Sequence, residues 1–595
     1  MKKFDNNLLD SVKNPARYFG GEYGTPNMDK PCDVRFCLCV PDSYEVGMSN
    51  LGTKILYHLF NEIDGVVCER CYAPWLDYAE YLKSNNQTLH SLETQKPLAE
   101  FDFVGFSFQF ELGYTNLFYM LELSKIPFLS SERGEEFPFI VAGGPCCVNP
   151  EPIYKFVDIV FVGEGEEVWP KILCDYKRFK NRKKDEFLQY LHQTYDCIYI
   201  PKFYENERKN GKLVGFGDKK IIKKYKIKDL DQSYYPINQV VPNIEIVHDR
   251  AVAELFRGCY NGCRFCQAGF IYRPVRQRKV DTVADICQKM CDNGGFDELS
   301  LNSLSTGDYE ALPELIDKLK PYTEKSRVQI SLPSLRLDSF EGAYANQNRR
   351  SSLTFAPEAG TQRLRDVINK NITENDIFGS VSQAFDSGFS TVKFYFMIGL
   401  PTETMEDVQG IVDLVYRIKQ MYFAKPRSAK GLRISVSVST FIPKPFTPFQ
   451  WETFDSRENI DEKQKYLYDK LNVKNISVSW HDYDNSLTEA VLARGGRELA
   501  DCLLYAYKLG ARFDAWSEFF NYDYYKKAFE HYSVDINSIV GKKDEDDLLP
   551  WDFISVGVDK EFLLREKSLA YQAKTTLPCN KQCNGCGLKK EGFCD

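Results

Sequence analysis

The stretch ELFRGCYNGCRFCQAGFIYRPVRQR, Glu254–Arg278, sets Cys259, Cys263 and Cys266 in the spacing CxxxCxxC. Thiols that merely fill a core need no such spacing, whereas thiolates gathered on one short loop act as metal ligands. A [4Fe–4S] cluster held by protein alone takes four thiolates, and a structural zinc also takes four ligands. Three on a loop leave one position open, which is the condition a catalytic metal site meets. On the spacing alone, a three-cysteine zinc site remains an alternative. The run VAELF before the triplet reads as a strand, and Phe265 precedes the last cysteine.

Downstream, strand-like runs recur as DELSLNSLS, RVQISLPSL, SSLTFAP, TVKFYFMIG and LRISVSVSTF, each followed by enough chain for a helix. Strands alternating with helices call for a parallel sheet. With VAELF these runs make six βα units, within residues 248–452. In parallel barrels the chemistry sits on loops at the carboxyl ends of strands. There the sequence places Ser305, Thr306, Gly307 and Asp308 after the second strand, and Ser331, Ser334 and Arg336 at the third. Glu358 and Arg363 follow the fourth in FAPEAGTQRLRDVINK, and Gly399 lies in FMIGLPTET on the fifth. VSTFIPKPFTPFQW follows the sixth. For each single polar residue, packing or capping is the alternative role.

Residues 34–175 carry the same alternation. VRFCLCV, GVVCERC, FDFVGFSF, FPFIVAGG and VDIVFVGEG are apolar runs of strand length, as buried parallel strands require. NLGTKILYHLFNEI and TNLFYMLELSKI between them read as helices, which predicts a doubly wound, flavodoxin-like sheet. Ligands of such sheets bind beyond the carboxyl ends of the strands. Those ends carry Ser43, Ser107 and Gln109 as polar contacts, with Gly143, Gly144, Gly163, Glu164 and Gly165 in the glycine-rich turns. The glycines permit close approach of a large ligand or serve tight turns only. No GxGxxG follows the first strand, which argues against a dinucleotide.

The triplet with its strand, its aromatic and its six βα units resembles the radical SAM family. The resemblance implies that Cys259, Cys263 and Cys266 hold a [4Fe–4S] cluster whose open iron chelates S-adenosylmethionine (SAM). One electron then cleaves the sulfonium to give a 5′-deoxyadenosyl radical. It places Ser305, Thr306, Gly307 and Asp308 near the amino group of SAM, Glu358 and Arg363 near its ribose or carboxylate, and Gly399 beside the adenine. GFSFQFELGYTN and VAGGPCCVNPEPIYKFVDIVFVGEGEE resemble the cobalamin (B12)-binding domain that precedes many such barrels. RGCYNGCRFCQAGFIYRPVRQR is close to a widespread bacterial group of B12-binding radical SAM proteins. One departure is that no DxHxxG occurs; His58 and His90 are the histidines of this region. A corrinoid bound here is therefore expected to lack a histidine on its lower face.

The expected organisation is an N-terminal segment 1–33, the cobalamin-type domain 34–175, a connecting region 176–247, the partial (β/α)6 TIM-like barrel 248–452, a mainly helical region 453–575 and a cysteine-rich tail 576–595. SRENIDEKQKYLYDKL opens the helical region on an N-cap serine. ISVSWHDYDNS sets His481 beside Asp482 at a strand end, as an acid–base pair or a structural histidine. The tail repeats CxxxCxxC in Cys579, Cys583 and Cys586 and adds Cys594, so a second site can be closed by zinc, an auxiliary iron–sulfur cluster or a redox dithiol.

Bulk composition bounds the rest. A chain of 595 residues with 43% hydrophobic and 27% charged residues is globular, with roughly three to five domains. The net charge of −8 gives no reason to expect a nucleic-acid scaffold. Lysine-rich runs at Lys177–Glu186 and Asp218–Leu230 are expected to be solvated faces. The first twenty residues hold no apolar signal segment and no run is long enough to span a bilayer, so the expectation is cytoplasmic, with no membrane partner. In a reducing compartment the 19 cysteines are thiols or ligands; Cys37, Cys39, Cys174 and Cys287 are expected to pack as small apolar groups. The function expected is transfer of a methyl group to an unactivated carbon, with an external one-electron donor such as flavodoxin or ferredoxin and an RNA, peptide or small-molecule substrate. Alternatives are B12-dependent cyclisation or rearrangement, methylthiotransferase-like RNA modification, and a non-catalytic redox or cobalamin sensor.

Overall fold

The computed structural model describes residues 6–209, 212–217, 220–333, 353–425 and 431–594. Ser334 and Arg336 lie outside the described residues.

The N-terminal sheet is built from β1 (Val34–Val40), β2 (Val66–Tyr72), β3 (Phe103–Ser107), β4 (Phe139–Gly143), β5 (Ile159–Phe161) and β6 (Ile198–Tyr199), in the order β2-β1-β3-β4-β5-β6. Neighbours are parallel except β5 and β6. The strands are apolar at successive positions because helices cover both faces. The chain leaves β1 in one direction and β3 in the other, the switch point at which such sheets bind ligands. Helix α1 (Leu51–Glu62), capped by Asn50 accepting from the Thr53 amide at 2.9 Å, follows β1, and α2 (Tyr114–Leu123) follows β3.

The second α/β unit has two parallel sheets. One is β7 (Ala251–Glu254), β8 (Glu298–Asn302) and β9 (Gln329–Ser331). The other is β10 (Leu353–Glu358), β11 (Thr391–Ile398), β12 (Arg433–Thr440) and β13 (Ile476–Trp480). β13 pairs with β12 from Ile434↔Ile476 onward and carries the sheet one strand past the six expected. Beyond it the chain is largely helical, and Ser456 caps the helix Arg457–Leu471 as read.

The helical region clamps the N-terminal sheet. Asn149 Nδ2 donates to the carbonyls of Ala493 (3.0 Å) and Gly495 (2.9 Å), Trp516 Nε1 donates to Asp42 at 3.0 Å, and Arg497 Nε reaches Glu151 at 2.8 Å. The connecting region is threaded between the units: Ile222–Lys223 pairs with Ile554–Ser555, and Tyr225 bridges Gly163 at the end of β5.

Two expectations are corrected. Lys224 and Lys226 are buried, not solvated. Ile222 must turn inward, and the period of two in extended chain carries Lys224 and Lys226 to the same side. Cys37, Cys39 and Cys287 are buried as expected, but Cys174 is exposed. No helix among the described residues is long and apolar enough to cross a membrane.

Candidate functional site

The carboxyl ends of β3, β4 and β5, the start of α1 and the carboxyl ends of β7 and β8 line one cleft of about 530 Å³. Ser107, Gln109, Gly144, Gly163, Glu164 and Gly165 form its N-terminal wall. Glu254, Arg257, Gly258, Asn302 and Ser303 form the opposite wall, one residue from Cys259 and two from Ser305. Gln109 Nε2 donates to Ser107 Oγ at 2.8 Å. Gly144 has φ +100°, and a Cβ there would stand 2.4 Å from the Phe108 carbonyl oxygen; Gly163 has φ +140° and would meet the Tyr225 carbonyl at 2.5 Å. These two serve backbone packing, whereas nothing stands within 4 Å of a Cβ at Gly143, which does not line the cleft. Ser43 is a helix cap instead, its side chain accepting from the Val46 amide at 3.5 Å.

Charge is concentrated beneath the cleft. Glu164 Oε2 accepts from Arg276 Nη1 at 2.7 Å and from the Ile227 amide at 2.8 Å. Arg257 pairs with Glu166 at 2.6 Å and with Glu254 at 2.9 Å. Burial would raise the Glu164 carboxyl, but Lys224, Arg276 and Arg257 outweigh it and hold it well below the usual carboxylate range. Burial pushes the Lys224 ammonium down to about 8, against the opposing pull of Glu164. Among the buried atoms with no hydrogen-bond partner are Glu164 Oε1 and Lys224 Nζ, whose residues line the cleft, and Ser305 Oγ beside it. Buried polar atoms are mostly paired, and these, at or beside the cleft wall, are free to meet a ligand's polar groups.

The cysteine loop is held from several sides. The Cys266 amide donates to the Cys263 carbonyl at 3.0 Å, and Cys266 immediately precedes α3 (Gln267–Ile271). Asn261 Nδ2 lies 3.7 Å from Cys259 Sγ and donates to Asp308 at 2.8 Å, tying the Thr306–Asp308 turn, with Gly307 at its centre, to the loop. Thr306 Oγ1 is 3.2 Å from Ser303 Oγ. Arg264, fully buried, binds Glu566 of α4 (Lys560–Tyr571) at 3.1 Å and the Val367 carbonyl at 2.9 Å. Phe265 packs on a cluster that includes Ile368, Met397 and Phe441. Burial and then the neighbouring Cys263 push up the Cys259 and Cys266 thiols, Cys266 to about 12. Among the described residues no group of three or more His, Cys, Asp or Glu side chains is arranged around a metal position. The donor set nevertheless suits an iron–sulfur cluster: three thiols on one loop, with Cys263 close enough to push up the thiols of Cys259 and Cys266 beyond what burial does, a tension that metal ligation relieves by taking the thiolates.

Other expected residues fall elsewhere. Glu358 pairs with Lys370 at 3.0 Å, beside Phe265. Arg363 donates to the Thr402 carbonyl at 2.9 Å and pairs with Asp407, bracing the loop after β11. The Gly399 amide, in that loop, donates to Glu403 at 2.7 Å. Ser331 Oγ accepts from Arg250 at 3.4 Å, whose guanidinium also holds Glu298 at 2.7 Å. None of these lines the cleft. His58 is buried, and burial drives its pKa down to about 3; His90 is bonded to Tyr78 at 2.7 Å, and neither lines the cleft. Asp482 caps its helix by accepting from the Asp484 amide at 2.8 Å, and His481 is exposed.

The tail docks on the cysteine loop. The Cys579 amide donates to the Tyr260 carbonyl at 2.9 Å, and Lys226 holds Glu591 at 2.7 Å. Cys579 and Cys586 are half-buried, while Cys583 and Cys594 are exposed. Sequence reasoning missed Lys224, Arg257 and Arg276. The signal for Lys224 was its even spacing from Ile222; nothing local marked the arginines.

Comparison with known proteins matches residues 52–201 to the family described as "Radical SAM proteins, N-terminal" and residues 253–415 to the "Radical SAM superfamily". The uncharacterized protein MJ0966 of Methanocaldococcus jannaschii is 30% identical over 424 residues, 71% of this chain and 84% of that protein. The tRNA-2-methylthio-N(6)-dimethylallyladenosine synthase of Petrotoga mobilis is 21% identical over 256 residues, 40% of this chain and 58% of that enzyme. Among solved structures, the radical SAM methyltransferase TsrM of Kitasatospora setae with cobalamin and a [4Fe–4S] cluster has a TM-score of 0.43 at 13% identity, over 68% of this chain and 74% of that one. The cobalamin-dependent radical enzyme OxsB has a TM-score of 0.47 at 12% identity, over 91% and 79%.

Proposed function

The chain belongs to the radical SAM superfamily, and on that premise we propose that it is a cobalamin-dependent enzyme that methylates an unactivated carbon. The observation that carries this reading is the shared cleft: the ligand-binding edge of the N-terminal sheet and the mouth of β7 and β8 line one space, with Gly258, the residue before Cys259, in its wall. A methyl group on SAM is electrophilic and cannot be attacked by an unactivated carbon, so two cofactors must act within reach of each other.

Cys259, Cys263 and Cys266 would hold the [4Fe–4S] cluster, which supplies one electron to the SAM sulfonium. Ser107, Gln109 and the turns at Gly144 and Gly163–Gly165 would hold the corrinoid, which supplies methyl transfer. Ser303 and the unpartnered Ser305 Oγ offer polar contacts to SAM beside the loop. Asn261 orients Cys259, and Phe265 with its apolar neighbours keeps water from that side of the loop. The electron comes from an external donor of the flavodoxin or ferredoxin kind. Cys579, Cys583, Cys586 and Cys594 would close a second site, for zinc or an auxiliary cluster. That site also supports a second reading, methylthio transfer to RNA, because it sits against the cysteine loop at Tyr260.

The test is anaerobic reconstitution with iron, sulfide and hydroxocobalamin, then quantification of 5′-deoxyadenosine and S-adenosylhomocysteine from SAM under reduction. Both products, lost in Cys263→Ala, are expected. Deoxyadenosine without S-adenosylhomocysteine would overturn methyl transfer in favour of rearrangement, and neither product from cluster-bearing protein would favour a sensor.

A further inference from the structure

Lys224 and Glu164 reach the cleft from two sides of one backbone bridge. The Lys224 amide donates to the Ser555 carbonyl at 2.8 Å, the Tyr225 amide donates to the Val162 carbonyl at 3.0 Å, and the Glu164 amide returns a bond to the Tyr225 carbonyl at 3.0 Å. The backbone therefore fixes where both side chains start. Both are buried, at 9% and 7% exposure, and both line the cleft. Lys224 Nζ stands 5.2 Å from the centre of the Tyr272 ring and has no hydrogen-bond partner. One oxygen of Glu164 is fully engaged by Arg276 and the Ile227 amide, and the other, Oε1, has no partner. An ammonium and a carboxylate of opposite charge thus face the same space without bonding to each other.

We propose that Lys224 and Glu164 together read a carboxamide of the cleft's ligand, and so select a fully amidated corrinoid over one that carries a free carboxylate. This inference rests on the reading of the cleft as a corrinoid site. The missing partner must accept a hydrogen bond from Lys224 and donate one to Glu164. A primary carboxamide does both from one carbon, through its carbonyl oxygen and its NH₂. A carboxylate supplies only acceptors and meets Glu164 as a like charge, which is a strong basis for rejection. The corrin ring carries its amides on acetamide and longer propionamide arms. A pair buried below the cleft surface calls for the longer arm.

The test is equilibrium binding to the full-length protein, read from the corrin absorption bands, with hydroxocobalamin and with its three separated propionic monocarboxylic acids. The wild type is expected to bind at least one acid tenfold or more weakly than hydroxocobalamin. In Glu164→Gln that penalty should shrink below threefold, because the like charge is gone while the acceptor oxygen remains. Lys224→Met should weaken hydroxocobalamin about tenfold with an unreduced melting temperature, which separates lost recognition from lost folding. Equal binding of all four corrinoids by the wild type, or a penalty unchanged in Glu164→Gln, would overturn this inference and leave the corrinoid site standing. No binding of hydroxocobalamin by folded wild type would overturn both.

Discussion

Glu151 and Glu164 lie thirteen residues apart on the same edge of the N-terminal sheet, and both are buried carboxylates. Both oxygens of Glu151 are answered. Its Oε1 accepts from the Tyr199 hydroxyl, and its Oε2 accepts from Asn206 at 2.9 Å and Arg497 at 2.8 Å. Arg497 in turn donates to the Tyr204 carbonyl and the Tyr199 hydroxyl, each at 2.8 Å. Around Glu164 one oxygen is answered and one is not, and the lysine that lines the same cleft has no hydrogen-bond partner. The first arrangement ties a sheet to the helices that clamp it. The second is incomplete without something in the cleft, and it persists because Lys224 and then Arg276 and Arg257 keep the carboxylate charged. Burial is common to both carboxylates; the unanswered oxygen of Glu164 is what sets the two apart.

The largest effect that can break this comparison is at the knot. Arg497→Met leaves Glu151 charged and unpaired in the interior, and should cost about 3–5 kcal/mol of stability, read as a lower denaturation midpoint. A loss below about 1 kcal/mol would show that the knot is not structural. The same kind of deletion in the cleft should act in the opposite sense. Lys224 is held at about 8 rather than its ordinary 10.5, so below pH 8 its charge opposes folding by roughly 3 kcal/mol. Between these values the native state binds fewer protons than the unfolded one, and wild-type stability rises with pH through the window. Lys224→Met should therefore match or exceed the wild type at pH 7, with the gap closing by about pH 10. A gap that stays constant with pH would contradict the assignment.

The turns give a smaller contrast. Gly144→Ala introduces a Cβ 2.4 Å from a carbonyl oxygen at φ +100° and should cost about 2 kcal/mol. Gly143→Ala, with nothing within 4 Å, should be within about 1 kcal/mol of neutral; equal effects of the two would remove the packing argument. The smallest effect expected is Gln109→Ala, which leaves Ser107 in the wall and should weaken hydroxocobalamin about threefold by absorption titration.

Much of this was legible in the chain. Long apolar runs marked β1 to β5 because strands covered on both faces have no solvent side to confuse the pattern, while β12 showed as an alternation of Ile434, Val436 and Val438 with serines, buried on one side only. The cysteine spacing marked its loop because ligation is local. β13 was visible as a strand but not as part of the barrel: Ser477 and Ser479 alternate with Ile476 and Val478, a pattern that fits any half-covered strand and says nothing of the neighbour it pairs with. Arg363 and Ser331 sit at strand ends as expected, yet their partners are Asp407 and Arg250, each distant in sequence. Ser43 stands where a ligand contact was expected and caps a helix, because three residues on there is an amide to satisfy. Lys224 was hidden in a lysine-rich run whose charge suggested solvent, and only the tertiary bridge of Tyr225 to Gly163 turns it inward.

The most direct test of the central claim is electron paramagnetic resonance of the reduced, iron- and sulfide-reconstituted protein, with and without SAM. A cluster held by Cys259, Cys263 and Cys266 alone has an open iron, so the account predicts a [4Fe–4S]⁺ signal whose g values shift when SAM is added. That shift should survive substitution of all four tail cysteines and vanish in Cys263→Ala. A signal indifferent to SAM, or one that depends on the tail instead of the loop, would contradict it.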